Sequence, residues 1–422
     1  MSATADSDNA TKPEAPPASA NAFRHRPYLL FWTSRLLGNL AMQIVSVAVG
    51  WMVYDITRDP FDLGLVGLVQ FLPSLALVLV TGSVADRYSR KLIMLLCLLL
   101  EAAAALVLLE MALRPQLHAV WPVFVVLFFF GLARAFFAPA SQALVPNLVP
   151  PVALASAITW ASSAWQLATI LGPVAGGLLY GISAATAYGT ATAMLLVSAV
   201  TITLVPLARR IGSREPASWS TVAAGFRYIR SQPVVFGAIS LDLFAVLMGG
   251  ATALLPAVAR DVLDTGPWGL GLLRAAPGIG ALAMAGFLAL VPIRDHAGRI
   301  MFAAVALFGA GIVLFGLSTS VWLSIAALVL MGATDMVSVV VRETLIQLWT
   351  PDAVRGRVSA VNMVFVGASN ELGEFRAGTM AALIGVMPAI VVGGFGTLAV
   401  AGIWAWAFPA LREARRLDRK AA

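Results

Sequence analysis

The chain is predicted to be an all-α membrane protein of twelve transmembrane helices, arranged as two six-helix parallel repeats. Three observations predict this. Over 422 residues, hydrophobic side chains make up 60% and charged ones only 12%, with a mean hydropathy of +0.88. The apolar residues run in long unbroken stretches of the length a helical span needs, about 20 residues. They do not alternate as the strands of a membrane barrel do. Finally, the stretches fall as six, a longer polar interval, then six. A water-soluble enzyme carries about 25% charged residues, and a disordered chain combines low hydrophobicity with high charge; both classes are excluded.

Residues 1–22, rich in Ala, Pro, Ser, Asp and Asn, have no apolar core and read as a disordered cytoplasmic tail rather than a signal peptide. Twelve helices are expected near 29–54, 63–85, 92–112, 121–145, 152–180, 185–207, 234–259, 268–291, 299–318, 322–346, 354–384 and 388–409. They divide the chain into an N-terminal bundle (23–207), a cytoplasmic linker (208–233), a C-terminal bundle (234–409) and a basic cytoplasmic tail (410–422). Within the linker, Trp219, Val222, Phe226 and Ile229 have helical spacing, which predicts an amphipathic helix along the membrane surface.

Orientation follows from Lys and Arg. With both termini inside, cytoplasmic segments hold 20 of the 28 and the outer loops only Arg58, Arg114 and Arg260, a strong positive-inside bias. The formal net charge of +7 is therefore an orientation signal, and no nucleic-acid partner is expected. Trp51 with Tyr54, Trp121 and Trp322 fall at outer helix ends, where an aromatic belt is expected. The single cysteine, Cys97, lies inside an apolar stretch. It cannot form an intrachain disulfide, and no metal or cofactor site is expected.

The two halves match position by position. The loop Gly82-Ser-Val-Ala-Asp86-Arg87-Tyr-Ser-Arg90-Lys91 corresponds to Asp295-His296-Ala-Gly298-Arg299, 209 residues on. Phe130-Gly131-Leu-Ala-Arg134 in helix 4 corresponds to Met331-Gly332-Ala-Thr-Asp335 in helix 10, 201 residues on. Agreement at the same places in each half supports a duplication.

A charge inside the bilayer costs at least about 2.5–3.5 kcal/mol, so each must face a cavity or a partner. The basic candidates are Arg35, Arg134, Arg274, Arg342 and Arg376; the acidic ones are Glu101, Glu110, Asp242, Asp335, Glu371 and Glu374. Under the repeat, Arg35 and Arg134 stand where Asp242 and Asp335 stand in the other half. Asp242, Asp335, Arg134, Arg35, Glu371 and Glu374 are the proton-coupling candidates, since a carboxylate that changes exposure or partner can take up and release a proton. The bland reading is a static ion pair for the aspartates, and mutual satisfaction among Glu371, Glu374 and Arg376. Glu110, near a membrane edge, is expected to be structural. Asn39, Gln43, Trp165, Gln166 and Phe244, with Arg35, are the substrate-cavity candidates. In helix 5, Gly172, Pro173, Gly176 and Gly177 read as a flexible packing seam. The histidines lie in the tail or loops, and phosphate-binding loops are absent. An ion-gradient-driven transporter therefore accounts for these charges better than an enzyme.

These motifs resemble the major facilitator superfamily over nearly the whole chain. Gly82, Asp86, Arg87 and Arg90 match its signature between helices 2 and 3, with Ser89 in place of a glycine. The resemblance implies a cytoplasmic gate latch in which Asp86 faces the start of helix 11. Arg134 matches the helix-4 arginine implicated in proton coupling. Gly172-Pro173-x-x-Gly176-Gly177 is similar to the helix-5 antiporter motif, with Ala168 replacing a further glycine. The stretches Asp242–Pro256, Arg355–Ala360 and Ser369–Glu374 resemble the drug and siderophore exporter branch that includes the enterobactin exporter. The expectation is a monomeric, proton-coupled exporter of a small amphiphilic molecule in a bacterial inner membrane. An importer or a carrier of lipid-type substrates is the alternative, and a non-transporting sensor a more distant one.

Overall fold

The computed structural model describes residues 21–114, 119–206, 219–293 and 295–414. Among these residues there are helices and loops and no strand. The spanning helices are α1 (Arg26–Thr57), α2 (Pro60–Arg87), α3 (Arg90–Leu113), α4 (Trp121–Leu144), α5 (Leu154–Ile182) and α6 (Ala184–Thr203) in the first half. The second half holds α7 (Pro233–Gly249), α8 (Gly266–Leu290), α9 (Ala297–Leu317), α10 (Val321–Trp349), α11 (Asp352–Ile384) and α12 (Val386–Ala407). Between them lies a linker helix, Trp219–Ser231. Residues 1–20, most of the polar linker (207–218) and the last basic residues (415–422) lie outside the described residues.

Eleven of these helices are long and apolar enough to cross a membrane, the seventh extending to Val262. The exception is α11, whose middle carries Glu371, Glu374 and Arg376. Those charges are tolerated because α11 packs between α2, α7 and α12, where protein rather than lipid surrounds its polar turns.

The halves repeat one packing scheme. In the first, α1 packs on α5 and α6, α3 on α4 and α6, and α2 on α4. The second repeats every pair: α7 on α11 and α12, α9 on α10 and α12, α8 on α10. The equivalence extends to single residues. Gly131 on α4 lies so close to the Gln70 carbonyl of α2 that a Cβ would collide with it, and Gly332 on α10 meets the Pro277 carbonyl of α8 in the same way. Gln70 and Pro277 are 207 residues apart, and Gly131 and Gly332 are 201 apart. Backbone contact of this closeness is what small residues permit in membrane helices.

Two expectations from sequence need correction. The seventh span is not one helix: α7 ends at Gly250 (φ 42°), and a 3-10 turn, a short α turn and a π turn (Val258–Val262) carry the chain on to Val262. Only glycine fits at 250, because of the positive φ and because the Gly373 carbonyl of α11 lies where a Cβ would be. Nor do Trp51 and Tyr54 belong to an aromatic belt. They are 8% and 4% exposed, because the end of α1 is covered by the second half. Trp121 and Trp322 are exposed at their helix starts, as expected. The linker helix seats Ile229 in the core of the second half, and its Gly225 lies against the Arg357 carbonyl of α11.

Candidate functional site: a charged cavity between two bundles

The two bundles touch through α2 with α11 and through α5 with α8. Contact is closest toward the end that holds Asp55. There Gly177 of α5 abuts Gly271 of α8, and Gly64 of α2 abuts Gly378 of α11. These contacts are related by the repeat, with Gly64 and Gly271 207 residues apart and Gly177 and Gly378 201 apart. Charges clasp the same end. Arg260, in the π turn, pairs with Asp55 and lies 5.4 Å from the Trp51 ring centroid. Asp261 accepts a hydrogen bond from the Tyr54 hydroxyl and pairs with Arg58 at 3.5 Å. Toward the other end, which holds Asp86, both Gly82 on α2 and Gly356 on α11 have open space where a Cβ would sit.

Between the ends lies a cavity of about 470 Å³, a size that suits a small organic ligand. Its wall is almost all first-half: Arg35, Asn39 and Gln43 from α1, Gln70 from α2, Glu101 from α3, Arg134 from α4 and Trp165 from α5, with Met363 of α11 from the other half. Arg35 lies nine residues into α1, Glu101 eleven into α3, and Arg134 ten before the end of α4. At 1.5 Å per residue, all three reach about 14–17 Å from the Asp86 end. Three charges from three helices therefore meet at one depth. Arg134 acts on Glu101 and, across the bundle interface, on Glu371.

The remaining sequence candidates fall elsewhere. Gln166 donates to the Gly278 carbonyl of α8 at 3.4 Å. The Phe244 ring packs 5.0 Å from that of Trp404. Asp242 is buried in an ion pair with Arg342 and accepts from Ser338 at 3.2 Å. Asp335 is one turn from Ser338 on α10 and interacts with the same pair. On α11, Glu371 and Glu374 both lie against Gly67 of α2. Glu374 accepts from Thr252 at 2.9 Å and faces Arg274 of α8, whose guanidinium reaches across to Ser46 of α1 at 2.6 Å. Arg376 does not satisfy these glutamates; it donates to the Leu247 and Met248 carbonyls at the end of α7. Glu110 pairs with Arg114 one turn on, at 3.1 Å on the surface.

Of the loop signature, Arg90 donates to the Ala85 and Ala143 carbonyls, and Lys91 to those of Thr203 and Val205. Arg87 is exposed, and Asp86 has no ion-pair partner among the described residues. Ser89 caps α3 by accepting from the Leu92 amide, a role the glycine it replaces has no side chain to fill. In the helix-5 motif, Gly172 and Gly176 seat α5 on α1 within the first half, whereas the Pro173 carbonyl and Gly177 face α8. Sequence reasoning overlooked Ser141 and Gln142, which line the cavity. They follow Arg134 by seven and eight residues, the spacing of one helix face.

Two mirrored six-helix bundles around a central charged cavity define a transporter of the major facilitator superfamily, not an enzyme. The chain belongs to the family described as Transmembrane secretion effector, which matches residues 17–421. It is 24% identical over 402 residues to macrolide efflux protein A of Streptococcus pyogenes, covering 93% of this chain and 98% of that one. It is 25% identical over 381 residues to the enterobactin exporter EntS of Shigella boydii, covering 89% and 90%. Its fold is similar to that of a bacterial homologue of the human lysosomal transporter Spinster in an inward-facing, unoccupied conformation (TM-score 0.70, 13% identity, 92% and 96% covered). It also resembles a bacterial homologue of the iron transporter ferroportin in an inward-facing state (TM-score 0.68, 15% identity, 92% and 99% covered).

Proposed function

We propose that this transporter exports a small amphiphilic molecule from a bacterial cytoplasm across the inner membrane, driven by protons, with both termini cytoplasmic. The observation that carries the reading is the cavity itself. It is sealed at the Asp55 end by paired glycines and a charge clasp, and it is lined by buried charges that would be costly without a transport role. The bias of basic residues toward the Asp86 end makes that end cytoplasmic, so the present state is inward-open. Efflux functions among the relatives support the outward direction. Asp335, Glu371, Glu374 and Glu101 are the candidate proton carriers. Glu371 meets Arg134 of the other bundle, a charge that rocking of the halves displaces. Glu374 meets Arg274, whose bond to Ser46 crosses the interface. Asp335 and Glu101 meet charges within their own bundles and would exchange through changing access of water.

The test is transport by the purified chain in proteoliposomes, with an imposed pH gradient and a panel of amphiphiles. Gradient-driven accumulation that stops when protonophore is added supports the reading. Uptake in the inward direction only, or transport indifferent to the gradient, removes it. Orientation is checked in intact cells: Asp59→Cys, Ala184→Cys and Asp264→Cys label from outside, and His296→Cys does not.

A further inference from the structure

Resting on the exporter reading, we infer that the cavity selects organic anions, with the acidic group of the substrate seated on Arg35 and Asn39. The cavity wall carries two guanidinium groups against one carboxylate. Neither makes an ion pair within 4 Å or a hydrogen bond among the described residues, yet they are not equivalent. Arg134 is close enough to act on two carboxylates, Glu101 within the cavity and Glu371 across the interface. No carboxylate acts on Arg35. The group that acts on it is Tyr28, whose hydroxyl is committed to the Ala157 carbonyl at 2.6 Å. One full positive charge is therefore left over at mid-depth, where an unpaired cation is expensive.

A neutral donor beside Arg35 lacks a partner as well. The Asn39 amide nitrogen is buried with no hydrogen-bond partner among the described residues. Asn39 is one turn above Arg35 on α1, whereas the Ser141 hydroxyl, also unpartnered, lies about 9 Å nearer the Asp86 end than Arg35 and belongs to the cavity's approach. Buried donors are nearly always satisfied, so a charge and an orphan donor one turn apart on one helix describe a built acceptor site. An oxyanion fits it, because charge-assisted hydrogen bonds to carboxylate, phenolate or phosphate are the strong ones. The Phe130, Phe137 and Trp165 side chains of the same cavity would receive the apolar or aromatic body. The acids Asp242, Asp335 and Glu374 do not line this cavity. Asp242 is neutralised by Arg342, so these acids do not cancel the selectivity.

The experiment uses the full chain in nanodiscs and two probes sharing one fluorophore, the anion dansylglycine and the cation dansylcadaverine. Dansylglycine is expected to bind at least about tenfold more tightly. Arg35→Gln should remove that advantage, weakening the anion and not the cation, whereas Arg35→Lys should keep most of it. Asn39→Leu, with Arg35 intact, should weaken the anion alone by about three- to tenfold. It holds the test open if the arginine variants do not fold. Preference for the cation in the wild type, or unchanged anion binding in Arg35→Gln, overturns the inference and leaves the exporter reading standing. Binding of neither probe overturns the inference and also removes this cavity from the exporter reading.

Discussion

A single methyl group at residue 177 should shift the conformational balance of the transporter. A Cβ at Gly177 would lie 2.5 Å from the Pro267 carbonyl oxygen and 2.9 Å from the Gly271 Cα, both on α8 of the other bundle. These are backbone atoms, so no side chain can turn aside, and α5 and α8 must separate. Overpacking of this kind costs about 1–3 kcal/mol. The cost falls only on states in which the bundles meet at the Asp55 end, because a state open there has no α8 backbone against residue 177. At about 1.4 kcal/mol per tenfold, Gly177→Ala should shift the equilibrium toward the state open at the Asp55 end by a factor of about 5 to 150. The same helix supplies two controls. Gly181 has nothing within 4 Å, so Gly181→Ala should do nothing. Gly176 abuts Ile44 within its own bundle, so Gly176→Ala should lower thermal stability in both states without moving their ratio. The assay is pulsed electron resonance between nitroxides at the exposed residues 182 and 383, one on each bundle, in a Cys97→Ala background. Gly378→Ala, the counterpart across the repeat, with Gly64 atoms 2.8 Å from the added carbon, should match Gly177→Ala. A Gly177→Ala distance distribution identical to that of Gly181→Ala would refute the reasoning.

Three further outcomes follow from the same geometry. The clasp pair is partly solvated, at 25% and 48% exposed for Arg260 and Asp55, so Asp55→Asn should shift the same equilibrium by only about 1 kcal/mol or less. High salt should mimic it, and the swap Asp55→Arg with Arg260→Asp should restore the wild-type distance distribution. Asp242→Asn removes the buried partner of Arg342 and leaves it only the half-exposed Glu343 at 3.8 Å, which costs up to about 3–5 kcal/mol. It should lower the melting temperature in detergent and the yield in the membrane, whereas Asp335→Asn, which breaks no ion pair, should fold normally and lose gradient-driven transport. Asp86→Asn should slow turnover in proteoliposomes while probe binding to the present state stays unchanged, because Asp86 has no ion-pair partner among the described residues here.

The twelve helices and their duplication were legible because membrane helices announce themselves by length and apolarity, and because Gly131 and Gly332 must each meet a backbone. The break at Gly250 was not legible: the helical dihedral pattern fails there for reasons of contact with Gly373, and apolar composition runs straight through it. The intramembrane charges could be found one by one, since each is anomalous against its neighbours. Their pairing could not. Arg342 neutralises Asp242 and Arg376 caps the end of α7, choices made by helix rotation and not by spacing along the chain. Ser141 escaped notice for a related reason, since small polar residues are common in membrane helices and only a missing partner sets it apart.

The glycine contacts also make each bundle a lever with its fulcrum far off centre. Along α2, Gly64 lies about 6 Å from the start of the helix at Pro60 and about 35 Å from its end at Arg87. A rock about that point multiplies motion roughly sixfold: about 1 Å of play at the sealed mouth becomes about 6 Å at the open one. The same fulcrum cannot open the sealed mouth, because the short arm sweeps too little distance to admit a ligand. The opposite state therefore needs a second pivot near the other end of the bars. Gly82 on α2 and Gly356 on α11 stand there with empty space beside them, small enough to serve as that bearing when the load passes from one end to the other.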